Sequence, residues 1–183
     1  MRRMITFAFM MTMVVMMAHA QGGLKKVYNE SIDPMGQIDA GLQKAKTEGK
    51  FVVCQLGGNW CPWCLKFADF VEKDTAVNQM MNDNFIYLHV NYNPRQSAGG
   101  DAVKKAEALM KRLNNPRRFG FPVFVILDAD GKVLHIQDSS FLEEGKGYDE
   151  KKVLRFLKNW TPKAVSNACS WLCNNPFAGR SPP

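Results

Sequence analysis

The chain has 183 residues, with 24 Lys plus Arg against 17 Asp plus Glu, and a formal net charge of +7. That length holds one ordinary domain with some room at its ends. The basic residues are scattered in pairs such as Lys25-Lys26, Lys104-Lys105, Arg117-Arg118 and Lys151-Lys152, not gathered with aromatics, which argues for a solvated surface and against a nucleic-acid partner.

Residues 1–20 read as a signal peptide. Arg2 and Arg3 give a basic start, Met4 to Ala18 carries no charge, and Ala18-His19-Ala20 supplies a small-x-small cleavage site. That apolar run is shorter than the roughly 20 residues a bilayer-spanning helix needs, which disfavours an uncleaved anchor. Gln21 follows the expected cut, so no cysteine stands there to take a lipid. The expected mature protein is exported, periplasmic or secreted. Its charge falls to +5 once Arg2 and Arg3 are gone, and 7 of the 11 Met residues leave with the leader. Residues 21–162 are read as the folded domain and 163–183 as a tail carrying Cys169 and Cys173.

Within the domain, Lys26-Val27-Tyr28 reads as a short strand. Asp33-Pro34 then looks like an N-cap with proline in the first turn, Ile38, Leu42 and Ala45 recur at helical spacing, and Gly49 is placed to stop the helix. Phe51 to Leu56 is a buried strand, and Gly57-Gly58-Asn59 turns the chain into a helix from Cys61 with Leu65, Phe67, Ala68 and Val71 on its apolar side. Phe85–Val90 is the next strand. Tyr92–Gly100 is a loop, and a helix capped by Asp101 follows, with Val103, Ala106, Leu109, Met110 and Leu113 facing inwards. Pro122–Leu127 and Lys132–Ile136 flank an Asp130-Gly131 turn and make a hairpin, and Asp149–Trp160 forms the last helix. Strands alternating with helices predict an α/β fold: a central mixed sheet with a terminal β-hairpin and helices on both faces. Functional sites in such sheets lie past the carboxyl ends of strands, where Cys61 falls.

Trp60-Cys61-Pro62-Trp63-Cys64 follows the first strand directly. A helix starting there turns its unpaired N–H groups and positive end towards the first sulfur, favouring the reactive thiolate. Cys61 is the expected nucleophile towards a substrate disulfide, and Cys64, one turn on, the thiol that resolves the mixed disulfide. A passive disulfide, or a zinc site completed by Cys169 and Cys173, are the competing readings. Trp63 between the two cysteines and the helical setting count against zinc, so no metal is expected. Leu65 in place of histidine after Cys64 excludes covalent haem attachment. Five cysteines in an exported chain leave at least one without a partner in the chain. Cys54, inside an apolar strand, reads as inert core. Cys169 and Cys173 read as a tail bridge or as a second redox pair. His89 and His135 read as strand residues, not ligands.

Gly120-Phe121-Pro122 before the hairpin completes a pattern. With the WCPWC stretch it resembles the thioredoxin superfamily over residues 35–160, and is similar to the C-terminal domain of periplasmic thiol–disulfide interchange reductases. The resemblance implies Cys61 as nucleophile, Cys64 as resolving cysteine and Pro122 as a cis-proline. It also implies that Phe121 offers its backbone to an extended substrate and that Trp60 packs beside the site. The family often has a buried carboxylate six positions before the first cysteine. Here that position is Gln55, which cannot act as a base, so Gln55→Asp is expected to speed the resolving step. The stretch Tyr92–Phe119 is longer than the compact family core needs and reads as an extended surface helix in preference to the wall of a substrate groove. Pro62-Trp63 holds no cation, which tilts the reading towards a reductant or a mid-potential exchanger.

The expected activity is therefore reduction or exchange of disulfides in exported proteins, with no bound cofactor and, for a reductant, a membrane electron donor as partner. The rival readings are a disulfide isomerase or oxidase on the same fold, and a non-enzymatic binding module.

Overall fold

The computed structural model describes residues 23–95 and 100–167. Helix α1 (Pro34–Glu48) starts where the Asp33 carboxylate accepts from the Gly36 N–H at 3.0 Å. It ends at Gly49, whose φ of 66° lets its N–H return to the Ala45 carbonyl. Strand β1 (Phe51–Gly57) follows and is buried throughout beyond Phe51. The chain then forms α2 (Pro62–Lys73), α3 (Thr75–Asn84), β2 (Phe85–Asn91), α4 (Ala102–Arg112), β3 (Val123–Leu127), β4 (Val133–Asp138), the two-residue strands β5 (Glu143–Glu144) and β6 (Gly147–Tyr148), and α5 (Glu150–Asn159).

The main sheet runs β2-β1-β3-β4, with β1 parallel to β2 and antiparallel to β3. The β3–β4 hairpin is formed and supplies the antiparallel edge. Because side chains alternate along a strand, β1 divides its residues between two cores. Val52, Cys54 and Leu56 pack with Ile38, Leu42, Leu109 and Leu113. Val53 packs on the other face with Phe67, Val71, Val77, Phe124 and Phe156. Gly41 lets α1 approach β2 closely, since a Cβ there would lie 2.7 Å from Leu88 Cδ1. Among the described residues, no helix is long and apolar enough to cross a membrane.

Three local readings of the sequence are corrected. Lys26–Tyr28 forms no strand: the segment is held by side-chain bonds from Asn59 and not by a sheet ladder. Helix α3 was not anticipated, because its sequence TAVNQMMNDN buries only Val77 and Met81 and shows little periodicity. Val103 is 37% exposed and not inward-facing; α4 packs through Ala106, Leu109 and Met110, with Leu113 buried just beyond it. Within the long Tyr92–Phe119 stretch, α4 is thus seated on the core by one face. The signal peptide and the Cys169/Cys173 tail lie outside the described residues.

Candidate active site

Strand β1 ends at Gly57, and the turn of Gly58 and Asn59 places Trp60 and Cys61 at the start of α2. Cys61 is the N-cap and Pro62 opens the helix, where a missing N–H costs nothing. Cys61 and Cys64 are joined by a disulfide with Cα atoms 5.2 Å apart. The Cys64 N–H donates to Cys61 Sγ at 3.2 Å, so a free helix-end donor already points at the first sulfur. Cys61 is 4% exposed and Cys64 fully buried, which makes Cys61 the more accessible residue of the pair.

Phe121 packs against the cluster of Tyr28, Cys61, Cys64 and Leu65, and the Phe121–Pro122 peptide bond is cis. Trp60 is 46% exposed and meets Phe121 edge-on at 5.5 Å. Tyr92 stacks on the same ring at 5.1 Å, and Arg117 donates to the Tyr92 hydroxyl at 3.0 Å. Trp63 packs against the same cluster: Tyr148 meets its ring edge-on and donates its hydroxyl to the Trp63 carbonyl at 3.2 Å, while Lys66 Nζ sits 4.3 Å from the ring centroid.

Gln55 is fully buried beneath the second cysteine. Its amide nitrogen donates to the Cys64 carbonyl at 2.8 Å and to the Tyr28 hydroxyl at 2.7 Å, and its oxygen accepts from the Tyr87 hydroxyl. Burial pushes the Tyr28 and Tyr87 hydroxyls well above the usual phenol range, so both stay protonated under ordinary conditions. His89, paired with Gln55 across β1 and β2, packs against both tyrosines, and its Nε2 is buried without a hydrogen-bond partner among the described residues. Burial holds its imidazole down at about 4. Cys54 lies on the opposite face of β1 with its thiol pushed up to about 12 by burial, partly offset by Arg112.

The structure thus brings Cys61, Cys64, Trp60, Pro62, Trp63, Gln55, Phe121 and Pro122 into one region. Sequence reasoning missed Tyr28, Asn59 and Tyr87, which hold Gln55 and the N-terminal segment in place. Asn59, directly before Trp60 in the turn, was the available signal for a side chain that clamps backbone. Among the described residues, no three His, Cys, Asp or Glu side chains converge as a metal site.

The model of a family described as thioredoxin-like matches residues 33–129, more than half of the chain. The structure of a disulphide isomerase from Xylella fastidiosa Temecula1 superposes with a TM-score of 0.59 at 19% identity, over 74% of this chain and 97% of that one. A DsbH oxidoreductase matches at 22% identity over 73% and 79% of the two chains, with a TM-score of 0.43 that lends the fold no further support. At these identities structural likeness speaks to the fold alone. No curated protein matches the chain. By its family model, the chain belongs to the thioredoxin-like family.

Proposed function

We propose that the protein is a thiol–disulfide oxidoreductase acting on disulfides of exported proteins. The observation that carries this reading is the Cys61–Cys64 disulfide at the first turn of α2, its outer sulfur capping the helix beside Phe121 and Pro122. In the reduced protein the Cys61 thiolate attacks one sulfur of a substrate disulfide, forming a mixed disulfide and releasing the other sulfur as a thiolate. Cys64 loses its proton and attacks Cys61 Sγ. The Cys61–Cys64 bond forms, the mixed disulfide breaks, and the second substrate thiolate leaves. Two electrons have passed from the protein dithiol to the substrate.

The Phe121 main chain receives an extended substrate segment, with Trp60 forming one wall. The exchange needs no bound cofactor. Working as a reductant in an oxidising compartment, the protein takes electrons from a membrane donor, in keeping with the leader-like residues 1–20.

Trapping with Cys64→Ser tests the mechanism. That variant should hold exported proteins as stable mixed disulfides on Cys61, and Cys61→Ala should hold none. Equal capture by both variants, or exchange of a model disulfide unchanged in Cys61→Ala, would overturn it. The reduction potential assigns the direction: a value near roughly −270 mV marks a reductant and one near −120 mV an oxidant.

A further inference from the structure

Gln55 leaves the resolving cysteine without the carboxylate the family often supplies, yet the space beside Cys64 is organised. A Cβ on Gly57 would lie 2.9 Å from the Tyr28 hydroxyl and closer still to Cys64 Sγ. The hydroxyl and the sulfur therefore flank one small volume that only glycine leaves open.

Hydrogen-bond direction in this cluster is fixed. The Cys64 carbonyl can only accept, so the NH2 end of Gln55 faces it. The same NH2 group gives its second proton to the Tyr28 oxygen, while the Tyr87 hydroxyl donates to Gln55 Oε1. Tyr28 is thus an acceptor towards Gln55, and its own proton is left for another partner. Its backbone is clamped in both directions: the Tyr28 N–H donates to Asn59 Oδ1 at 3.1 Å, and Asn59 Nδ2 donates to the Tyr28 carbonyl at 2.9 Å.

Resting on the oxidoreductase reading above, we propose that the Tyr28 hydroxyl is the hydrogen-bond donor that stabilises the Cys64 thiolate during resolution of the mixed disulfide. When the Cys61–Cys64 bond is absent, Cys64 Sγ gains acceptor capacity, and the Tyr28 hydroxyl across the Gly57 gap has a proton not used by Gln55 to supply it. Tyr28 stays protonated throughout. The Cys64 proton itself leaves to water, and the hydroxyl lowers the cost of the charge left behind. The other titratable groups around the pair are Tyr87 and His89 from β2 and Tyr148 from β6. Tyr148 is committed to the Trp63 carbonyl, Lys25, Lys26 and Glu72 line a pocket with Tyr87 and His89 in which Lys25 and Glu72 are paired and exposed, and Glu30 accepts from Asn59.

Stopped-flow reaction of the reduced chain with 5,5′-dithiobis(2-nitrobenzoate) tests this, with Cys169→Ser and Cys173→Ser in every arm so that only Cys61 and Cys64 report. The first burst of coloured thiolate follows attack by Cys61 and scales with reagent; the second follows resolution by Cys64 and does not. Tyr28→Phe should leave the first phase unchanged. It should slow the second about three- to tenfold at pH 7, the range set by lost thiolate against increased nucleophilicity, and move its pH midpoint up by about one unit. A second phase with the parent rate and midpoint would overturn the proposal. If Tyr28→Phe does not fold, Tyr87→Phe, which unpins the Gln55 amide, should raise the same midpoint, and an unmoved midpoint there would equally overturn it. Loss of the first phase in the parent chain would instead refute the oxidoreductase reading, so the two failures are distinct.

Discussion

Gln55 donates its side-chain amide to the Cys64 carbonyl at 2.8 Å, tying the centre of β1 to the first turn of α2 from inside the protein. One side chain thereby does two jobs: it satisfies a carbonyl at the start of the active helix and sets the orientation of Tyr28. A buried amide held on both ends is well satisfied and rigid, whereas an ionised carboxylate there would need compensation for its lost hydration.

That arrangement changes the expectation for Gln55→Asp. Read from sequence, the substitution restores a missing proton acceptor and should speed resolution. In the structure, aspartate loses both donations made by the amide and brings an oxygen towards the Cys64 carbonyl oxygen. It also accepts the Tyr28 proton and turns it away from the sulfur. We expect Gln55→Asp to be destabilised by about 3 kcal/mol in urea unfolding, with no gain in the resolving rate. Faster resolution at parent stability would show that proton acceptance, not geometry, limits this step.

Gly57→Ala should be among the most damaging single-methyl changes. The new Cβ would overlap Cys64 Sγ and crowd the Tyr28 hydroxyl, and Cys64 Cβ would be 3.2 Å away. None of these is the free end of a flexible side chain, because Tyr28 is clamped by Asn59 and Cys64 lies within a helix. Overpacking of this kind costs about 3 kcal/mol. The variant's urea midpoint should fall accordingly, and an unaltered midpoint would mean the segment carrying Tyr28 yields freely.

The order of strands and of the main helices was legible because each carries a strong local signal. Asp33-Pro34 with Gly49 brackets α1, β1 shows itself as an apolar run broken only by Gln55, and Asp130-Gly131 marks the hairpin. Helix α3 lacked such a signal in its periodicity. Asp74 both ends α2 and caps α3 through the Val77 N–H, so the break falls on a single residue. The reactive cysteines were equally legible, being only three positions apart in sequence. Tyr28 was not: it lies 27 positions from Gln55 and 31 from Asn59, in a segment with neither helical nor strand hydrogen bonds. Long-range polar clamps leave no periodic trace.

Cys54 should be chemically silent in the folded protein. Burial outweighs the opposing effect of Arg112 and keeps its thiol protonated, with a pKa of about 12, and leaves no exposed surface for a reagent to reach. After reduction, iodoacetamide at pH 8 should modify Cys61 and leave Cys54 unmodified until the chain is unfolded, as read by peptide mass spectrometry. Rapid labelling of Cys54 in the native state would show that the α1–α4 face of the sheet opens.

His89 should make stability fall as pH drops. Its imidazole takes a proton near 6.5 in the unfolded chain but only near about 4 when folded, because burial penalises the charged form. Between these values the unfolded chain holds more protons, so acid favours unfolding; above about 6.5 both states are neutral and the effect vanishes. The loss between pH 7 and pH 4 is about 3 kcal/mol from this group. His89→Phe keeps an aromatic ring against Tyr28 and Tyr87 and removes both the titration and the unpartnered Nε2. Urea unfolding of the two proteins from pH 7 to pH 4 should therefore diverge, with the variant losing less stability. Parallel curves would place the acid sensitivity on carboxylates such as Glu48, whose pKa is held below the usual range by its bond to Lys50.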